Sequence, residues 1–387
     1  MVYLHVPFCK SFCAYCDFYS EVCPANESAR AQKLFADGVC REMDARRAEI
    51  AATEGLRTLY IGGGTPSVLD IGELARIVRH LRAMRWPAGP VMTEAPAMTE
   101  WEEFTVEVNP EDIVTRGTGY VRALLDLGVT RISMGVQSMD DGILRWMRRR
   151  HDSARAVEAV RILREAGVRK LSLDLSFGLS QLSDAVWADT LEQTLQLQPE
   201  HVSAYQLSIE PGSALAESVR EGRYTEADEA LCRHQYELLC ERLRAAGFHH
   251  YEISNFARPG FEAVHNSAYW RRLPYVGLGP GAHSFDGGRT RSWNSEALDG
   301  WTRSSETLSD EDVRTETLML GLRTAEGLPE DWLRAHCDPA TLETLLAQGA
   351  LIPAVPGHKP GENVRGRNLR IPEDHFFVSD DIIRDLA

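Results

Sequence analysis

Cys9, Cys13 and Cys16 fall within eight residues, in the run Cys9-Lys-Ser-Phe-Cys13-Ala-Tyr-Cys16. Three thiolates in one tight loop can hold three irons of a four-iron cubane, leaving the fourth iron open to a small molecule. A structural zinc site asks for four closed ligands, typically from two separated pairs. Here there is one triplet, and only His5 or Cys23 stands near enough in sequence to complete a fourth position. Cys40, Cys232, Cys240 and Cys337 are scattered and read as small buried hydrophobes. A disulfide framework does not suit a large chain without an export signal.

Those thiolates need a scaffold. The first two thirds of the chain alternate short apolar runs with amphipathic stretches. Strands are expected over 2–6, 58–61, 104–108, 131–134, 170–175 and 201–207, and helices over 28–50, 71–85, 120–127, 153–166, 184–197 and 226–246. Strands joined by helical crossovers argue for an α/β fold with a parallel sheet, and runs such as VYLHV and TLYIG suit burial on both faces. The polar features fall at strand C-terminal ends: the cysteines, then Gly62–Gly64, Glu107, Gln137 and Asp174. In α/β barrels that rim is where sites are built. Residues 86–103 read as a Pro-rich, acidic surface insertion. After residue 300 the pattern turns to short helices at 310–322, 329–336, 340–348 and 380–386 with a β-wing near 351–371, its loop tip at 357–366.

A net charge of −15 disfavours nucleic-acid or anionic-membrane partners. The exception is the basic run 145–151, RWMRRRH, a candidate anion contact. No apolar run is long enough to span a bilayer, and no secretory or transit signal is visible, so the expected address is cytoplasmic.

The C-x3-C-x2-C spacing after a first strand resembles the radical S-adenosylmethionine (SAM) superfamily. YLHVPFCKSFCAYCDF (3–18), YIGGGTPS (60–67), EVNP (107–110), RISMGVQS (131–138) and HVSAYQLSIEPGS (201–213) resemble its oxygen-independent coproporphyrinogen III oxidase-like subfamily over roughly residues 1–300. The resemblance implies a partial (β/α)6 barrel over 1–225, an extension over 226–300 and a winged-helix-like α+β domain over 301–387. It implies a [4Fe–4S] cluster on Cys9, Cys13 and Cys16, with SAM on the open iron and an electron donor for the cluster. By motif, Tyr3 lies near the SAM, Tyr15 against its adenine, and Gly63, Gly64 and Thr65 at the ligand's approach. Glu107, Gln137, Arg149 and Asp174 are the further SAM contacts, with Arg148 and Arg150 as alternatives to Arg149. The segment SFGLSQ (176–181) departs from the family at Phe177 and Ser180.

Within the subfamily, YEISNFA (251–257), HNSAYW (265–270) and YVGLGPGAHSF (275–285) are most similar to the heme-chaperone branch, HemW. The oxidases carry a further cysteine two residues after the third cluster ligand; here that residue is Phe18. The chain also begins eight residues before Cys9, without the oxidases' long preceding arm. Both departures disfavour coproporphyrinogen decarboxylation, and whether the protein is an enzyme stays open. The branch implies heme as ligand and a heme-acceptor protein as partner. His265 is the candidate axial ligand, with Tyr269 and Trp270 as packing. The competing reading is a loop His265 satisfied by backbone hydrogen bonds; His283 has a similar claim to the iron, and a solvent-facing cysteine is the alternative ligand.

Overall fold

A computed structural model describes residues 1–53, 55–85, 101–354 and 367–387. Six parallel strands run in chain order: β1 (Val2–Val6), β2 (Thr58–Gly63), β3 (Glu103–Val108), β4 (Arg131–Gln137), β5 (Leu171–Phe177) and β6 (His201–Gln206). The crossovers carry helices α1 (Ala25–Ala45), α2 (Arg47–Ala52), α3 (Ile71–Arg85), α4 (Pro110–Asp126), α5 (Asp141–Trp146), α6 (Ser153–Ala166) and α7 (Asp184–Gln196). Beyond β6 come α8 (Ala214–Arg220), α9 (Glu229–Ala245), β7 (His249–Glu252), β8 (Asn255–Ala257), α10 (Val264–Trp270) and β9 (Val276–Leu278). These last strands extend the same sheet, whose order is β7-β8-β6-β5-β4-β3-β2-β1-β9. β9 is parallel to β1 at one edge, and β8 runs antiparallel to β6 at the other. The sheet is therefore the expected partial barrel, open rather than closed.

The strands differ from the expectation of two apolar faces. On one face Leu59, Ile61, Phe104, Val106, Ile132, Met134, Leu171 and Leu173 are buried in a core shared with the helices. The intervening residues are polar and line a cavity: Tyr3, Tyr60, Thr105 and Glu107, Ser133, Asp174 and Ser203. Tyrosine and glycine in YLHV and LYIG read as apolar in sequence, yet the period of two points them inward.

Local signals set the crossovers. Asn109 accepts from the Glu111 N–H with Pro110 in the first turn, so α4 starts well before the expected residue 120 and continues past a non-helical Gly117. Asp140 caps α5, Asp152 caps α6, and Gly167 closes α6 in the left-handed region. The expected insertion at 86–103 lies outside the described residues through residue 100, as does the loop tip at 357–366. The end of the insertion is not surface: Trp101 is buried, and Glu103 opens β3 in a buried ion pair with Arg131 at 2.9 Å.

The rest of the chain forms two small antiparallel sheets. One joins β10 (His283–Phe285), β11 (Thr290–Asn294) and β12 (Arg303–Thr307). The other joins β13 (Leu328–Pro329), β14 (Ile352–Pro353) and β15 (Asn368–Arg370) beside helices α11 (Asp310–Leu322), α12 (Glu330–His336), α13 (Pro339–Ala347) and α14 (Ser379–Leu386). That is the α+β, winged-helix-like arrangement. Among the described residues no helix is long and apolar enough to cross a membrane.

Candidate functional site

The barrel encloses a cavity of about 650 Å³ lined by the cluster and SAM candidates, from Cys9, Cys13 and Cys16 to Asp174, and by His265 and Tyr269, whereas Trp270 and His283 are not part of its lining. The cysteine loop spans the C-terminal end of β1. It is pinned by backbone bonds from Ala14 N–H to the Met147 carbonyl (3.1 Å) and from Leu215 N–H to the Ala14 carbonyl (2.8 Å). Thr65 Oγ1 lies 3.3 Å from Cys9 Sγ, and Arg149 Nη1 donates to Cys13 Sγ at 3.3 Å. Burial pushes the Cys16 thiol up to about 11, with the other two sulfurs adding to the rise. Loading the site with metal therefore expels protons.

Among the described residues, no three or more His, Cys, Asp or Glu side chains converge on a single ion. His5 could not complete a zinc site, since its ring nitrogens face Tyr3 Oη (3.2 Å) and the Tyr19 carbonyl (2.9 Å). A cubane asks for something different: three sulfurs at separate corners of one open space. Cys9, Cys13 and Cys16 all line the one cavity. Three buried polar atoms of residues on the same cavity, Arg149 Nε, Thr105 Oγ1 and Arg131 Nη1, have no partner among the described residues, as suits a wall that meets a polar ligand.

The glycines work differently from the expected ligand approach. A Cβ on Gly62 would lie 2.9 Å from Glu107 Oε1, and one on Gly63, at φ +110°, would lie 2.8 Å from the His5 ring. One on Gly64 would meet the Phe8 carbonyl oxygen at 3.0 Å and Cys9 Sγ at 3.1 Å. The triplet makes room for the site's own side chains, and Gly63 and Gly64 also reach the cavity wall.

Two carboxylates face the interior. Glu107 accepts from Tyr60 Oη at 2.6 Å; burial, helped by the charge of Asp174, pushes it up to about 7. Asp174 is pushed up to about 6 by burial and accepts from Ser133 (3.0 Å) and Ser172 (3.2 Å). His201 Nδ1 lies 2.8 Å from Ser172 Oγ, and its Nε2 lies 2.8 Å from Tyr251 Oη. Tyr60, Ser133, Ser172 and His201 escaped sequence reasoning. For Ser172 the signal was the spacing of two along β5 from Asp174; Tyr60, Ser133 and His201 sit on other strands, β2, β4 and β6.

The structure decides among the arginines. Arg150 is bound bidentately to buried Asp112 (3.1 and 2.8 Å), which also holds Lys10 (2.8 Å) and Ser67 (2.9 Å). Arg149 turns inward, with Nη2 on the Gly135 carbonyl at 2.7 Å. Arg148 is exposed, at φ +58°. Gln137 follows a bulge in β4, at φ +70°, and accepts from Ser176 Oγ at 2.8 Å. Tyr3 stacks on Tyr60 with ring centroids 6.1 Å apart. Burial holds the phenols of Tyr3 and Tyr15 in their protonated form at neutral pH.

His265 occupies the opposite end. The HNSAYW segment is helix α10, and His265 is fully buried. Its Nδ1 lies 2.8 Å from Thr58 Oγ1 and its Nε2 3.0 Å from Tyr269 Oη, while its backbone N–H donates to Glu103 at 2.9 Å. Burial drives its pKa down to about 3, so the ring is neutral. His265 is thus helical rather than a loop residue, and both ring nitrogens have side-chain rather than backbone partners, which leaves no lone pair for iron. His283 is exposed and stacks on Trp293 at 6.1 Å.

Comparison with known proteins accords with this geometry. The Radical SAM superfamily pattern matches residues 3–194. The heme chaperone HemW of Mycobacterium tuberculosis is 36% identical over 90% of this chain and 88% of its own, and HemW of Bacillus subtilis is 31% identical over 84% of each. The coproporphyrinogen III oxidase HemN of Escherichia coli, a radical SAM enzyme, shares the fold at a TM-score of 0.74, with 18% identity over 99% of this chain and 89% of its own. Radical SAM membership brings a [4Fe–4S] cluster and SAM, and the cysteine loop and cavity fit both. The chain belongs to the HemW family of radical SAM proteins.

Proposed function

We propose that this protein binds heme and delivers it to an acceptor protein, with a SAM-coordinated [4Fe–4S] cluster supporting that role in the cytoplasm. The observation that carries the reading is the 36% identity to a heme chaperone over nearly the whole chain. Phe18 supports it, since a phenylalanine stands where the oxidases place a further thiol. In this reading residues 1–225 form the cluster-bearing barrel, 226–300 complete its edges and floor, and 301–387 form the appended winged-helix-like domain.

Cys9, Cys13 and Cys16 would hold the cluster, which when bound supplies an electron to the SAM sulfonium. The chain's own residues prepare that space. Arg149 sets a cation beside Cys13 and keeps Nε free for an anionic group. Glu107 and Asp174 stand ready to accept from a cationic ligand, and such a ligand favours their ionised forms. Tyr60 and the serines orient both carboxylates, and the neighbouring helices exclude water. The test is heme titration of the anaerobically reconstituted protein, followed by incubation with an apo-hemoprotein. Saturable heme binding with transfer, and no protoporphyrinogen formed from coproporphyrinogen III, is the expected result. Conversion of coproporphyrinogen III without heme binding would overturn the reading.

A further inference from the structure

The cavity is a normal size for one ligand of moderate bulk, since such pockets run from about 300 to 1,000 Å³. A cluster and SAM held on the cysteine loop and the strand ends would take up much of it, which favours a seat for heme outside them. The two histidines that line the cavity, His201 and His265, each have a partner at both ring nitrogens.

The mouth of the cavity is different. Five large hydrophobic side chains are exposed among the described residues, and three of them border this one opening: Phe18 (67%), Phe12 (56%) and Tyr205 (49%). Phe12 and Phe18 rise from the cysteine loop itself. Arg148 stands beside them, because its neighbour Met147 accepts the Ala14 N–H. Arg148 lies in the left-handed region just past the end of α5, its N–H donating to the Arg145 carbonyl at 3.1 Å; its side chain has no hydrogen bond or ion pair among the described residues and borders the same opening. The left-handed turn ends α5, and it leaves an unpartnered guanidinium at the opening, a group suited to an anion. Lys10, by contrast, is committed to Asp112.

We propose that heme docks across the mouth of the barrel, its ring packed on Phe12 and Phe18 and one propionate paired with Arg148. The assignment rests on the heme-binding reading above. Aromatic faces suit a flat apolar macrocycle, and a guanidinium matches a carboxylate in a bidentate pair. Asp17, also on the rim, keeps the propionates to the Arg148 side.

The test is heme titration of the reconstituted full-length protein, with iron content and SAM binding as folding controls. Arg148→Ala is expected to weaken heme binding about tenfold, the usual worth of a lost charged hydrogen bond. The double substitution Phe12→Ser and Phe18→Ser is expected to weaken it at least about tenfold. Heme dimethyl ester, which lacks propionate charge, is expected to bind wild type and Arg148→Ala within about twofold of each other. Unchanged heme affinity in both variants overturns the seat, as does loss of binding in His283→Ala alone. So does a change in oligomeric state without a change in heme affinity, which would make the rim a contact between copies. A wild-type protein that binds no heme overturns the functional reading itself.

Discussion

The two ends of the cavity are built on opposite rules. At the floor, most polar groups are paired: His265 sits between Thr58 and Tyr269, and Glu103 holds Arg131 while accepting the backbone N–H groups of Val264 and His265, with Arg131 Nη1 left without a partner among the described residues. At the rim, groups are left open or strained: Arg149 Nε has no partner, and Gln137 and Arg148 hold positive φ. A floor whose hydrogen bonds are mostly met rigidifies the barrel. A rim whose bonds are unmet binds. A histidine in a sequence motif is thus weak evidence for a ligand until its nitrogens are shown to be free.

The largest break of this contrast is at the cysteines. Cys13→Ala is expected to drop the reconstituted iron content from about four per chain to below one. Thermal stability without the cluster should stay near wild type, because the loop is held by backbone bonds from Ala14. Iron and sulfide analysis with a melting curve checks both halves. A large loss of stability would show that the rim is structural after all.

His265→Ala attacks the other end. Removing a fully buried ring leaves a void and strands Thr58 and Tyr269, at a cost of about 2–4 kcal/mol. Denaturant unfolding is expected to show that loss, while iron content and heme affinity per folded molecule stay unchanged. A folded variant that has lost heme would return His265 to the iron.

The carboxylates bridge the two ends and sharpen the contrast through pH. Glu107 titrates near 7 in the folded protein, against about 4.3 in an unfolded chain. The native state therefore holds its proton longer than the unfolded state does, and stability falls as pH rises from about 4 to 7. Glu107→Gln removes that charge and keeps an acceptor for Tyr60. It is expected to stabilise the ligand-free protein by about 1–3 kcal/mol at pH 8, with little gain at pH 4. SAM affinity is expected to fall at the same time, by roughly tenfold or more. Melting curves at both pH values and SAM titration read the two effects; a stability gain that is equal at pH 4 and pH 8 would rule out the charge as the cause.

The rim was legible in the sequence because its residues follow strand ends and fall in dense motifs. Cys9, Cys13, Cys16, Glu107, Gln137, Arg149 and Asp174 all reached one cavity. The floor was not legible, because its contacts join residues far apart in the chain. Thr58 meets His265 across 207 positions, and no local pattern announces that pair. The inner wall was hidden for another reason: Tyr3, Tyr60 and Tyr205 count as apolar, so an alternating strand passed for a uniformly buried one. The start of α4 was readable from Asn109 and Pro110, but a motif reading had already claimed those residues for the strand end.

The smallest effect is the sharpest test, because it turns on sign alone. Arg148 holds φ +58°, a conformation that costs a non-glycine residue roughly 1–2 kcal/mol. Its side chain returns nothing to the fold, with no hydrogen bond or ion pair among the described residues. Arg148→Gly removes the steric cost, although glycine gives the unfolded chain more freedom. The net expectation is a gain of about 0.5–1 kcal/mol, while His265→Ala at the floor loses several times that. If denaturant unfolding instead shows a loss for Arg148→Gly, the guanidinium has a structural partner. The rim would then lose the open cation on which its difference from the floor depends.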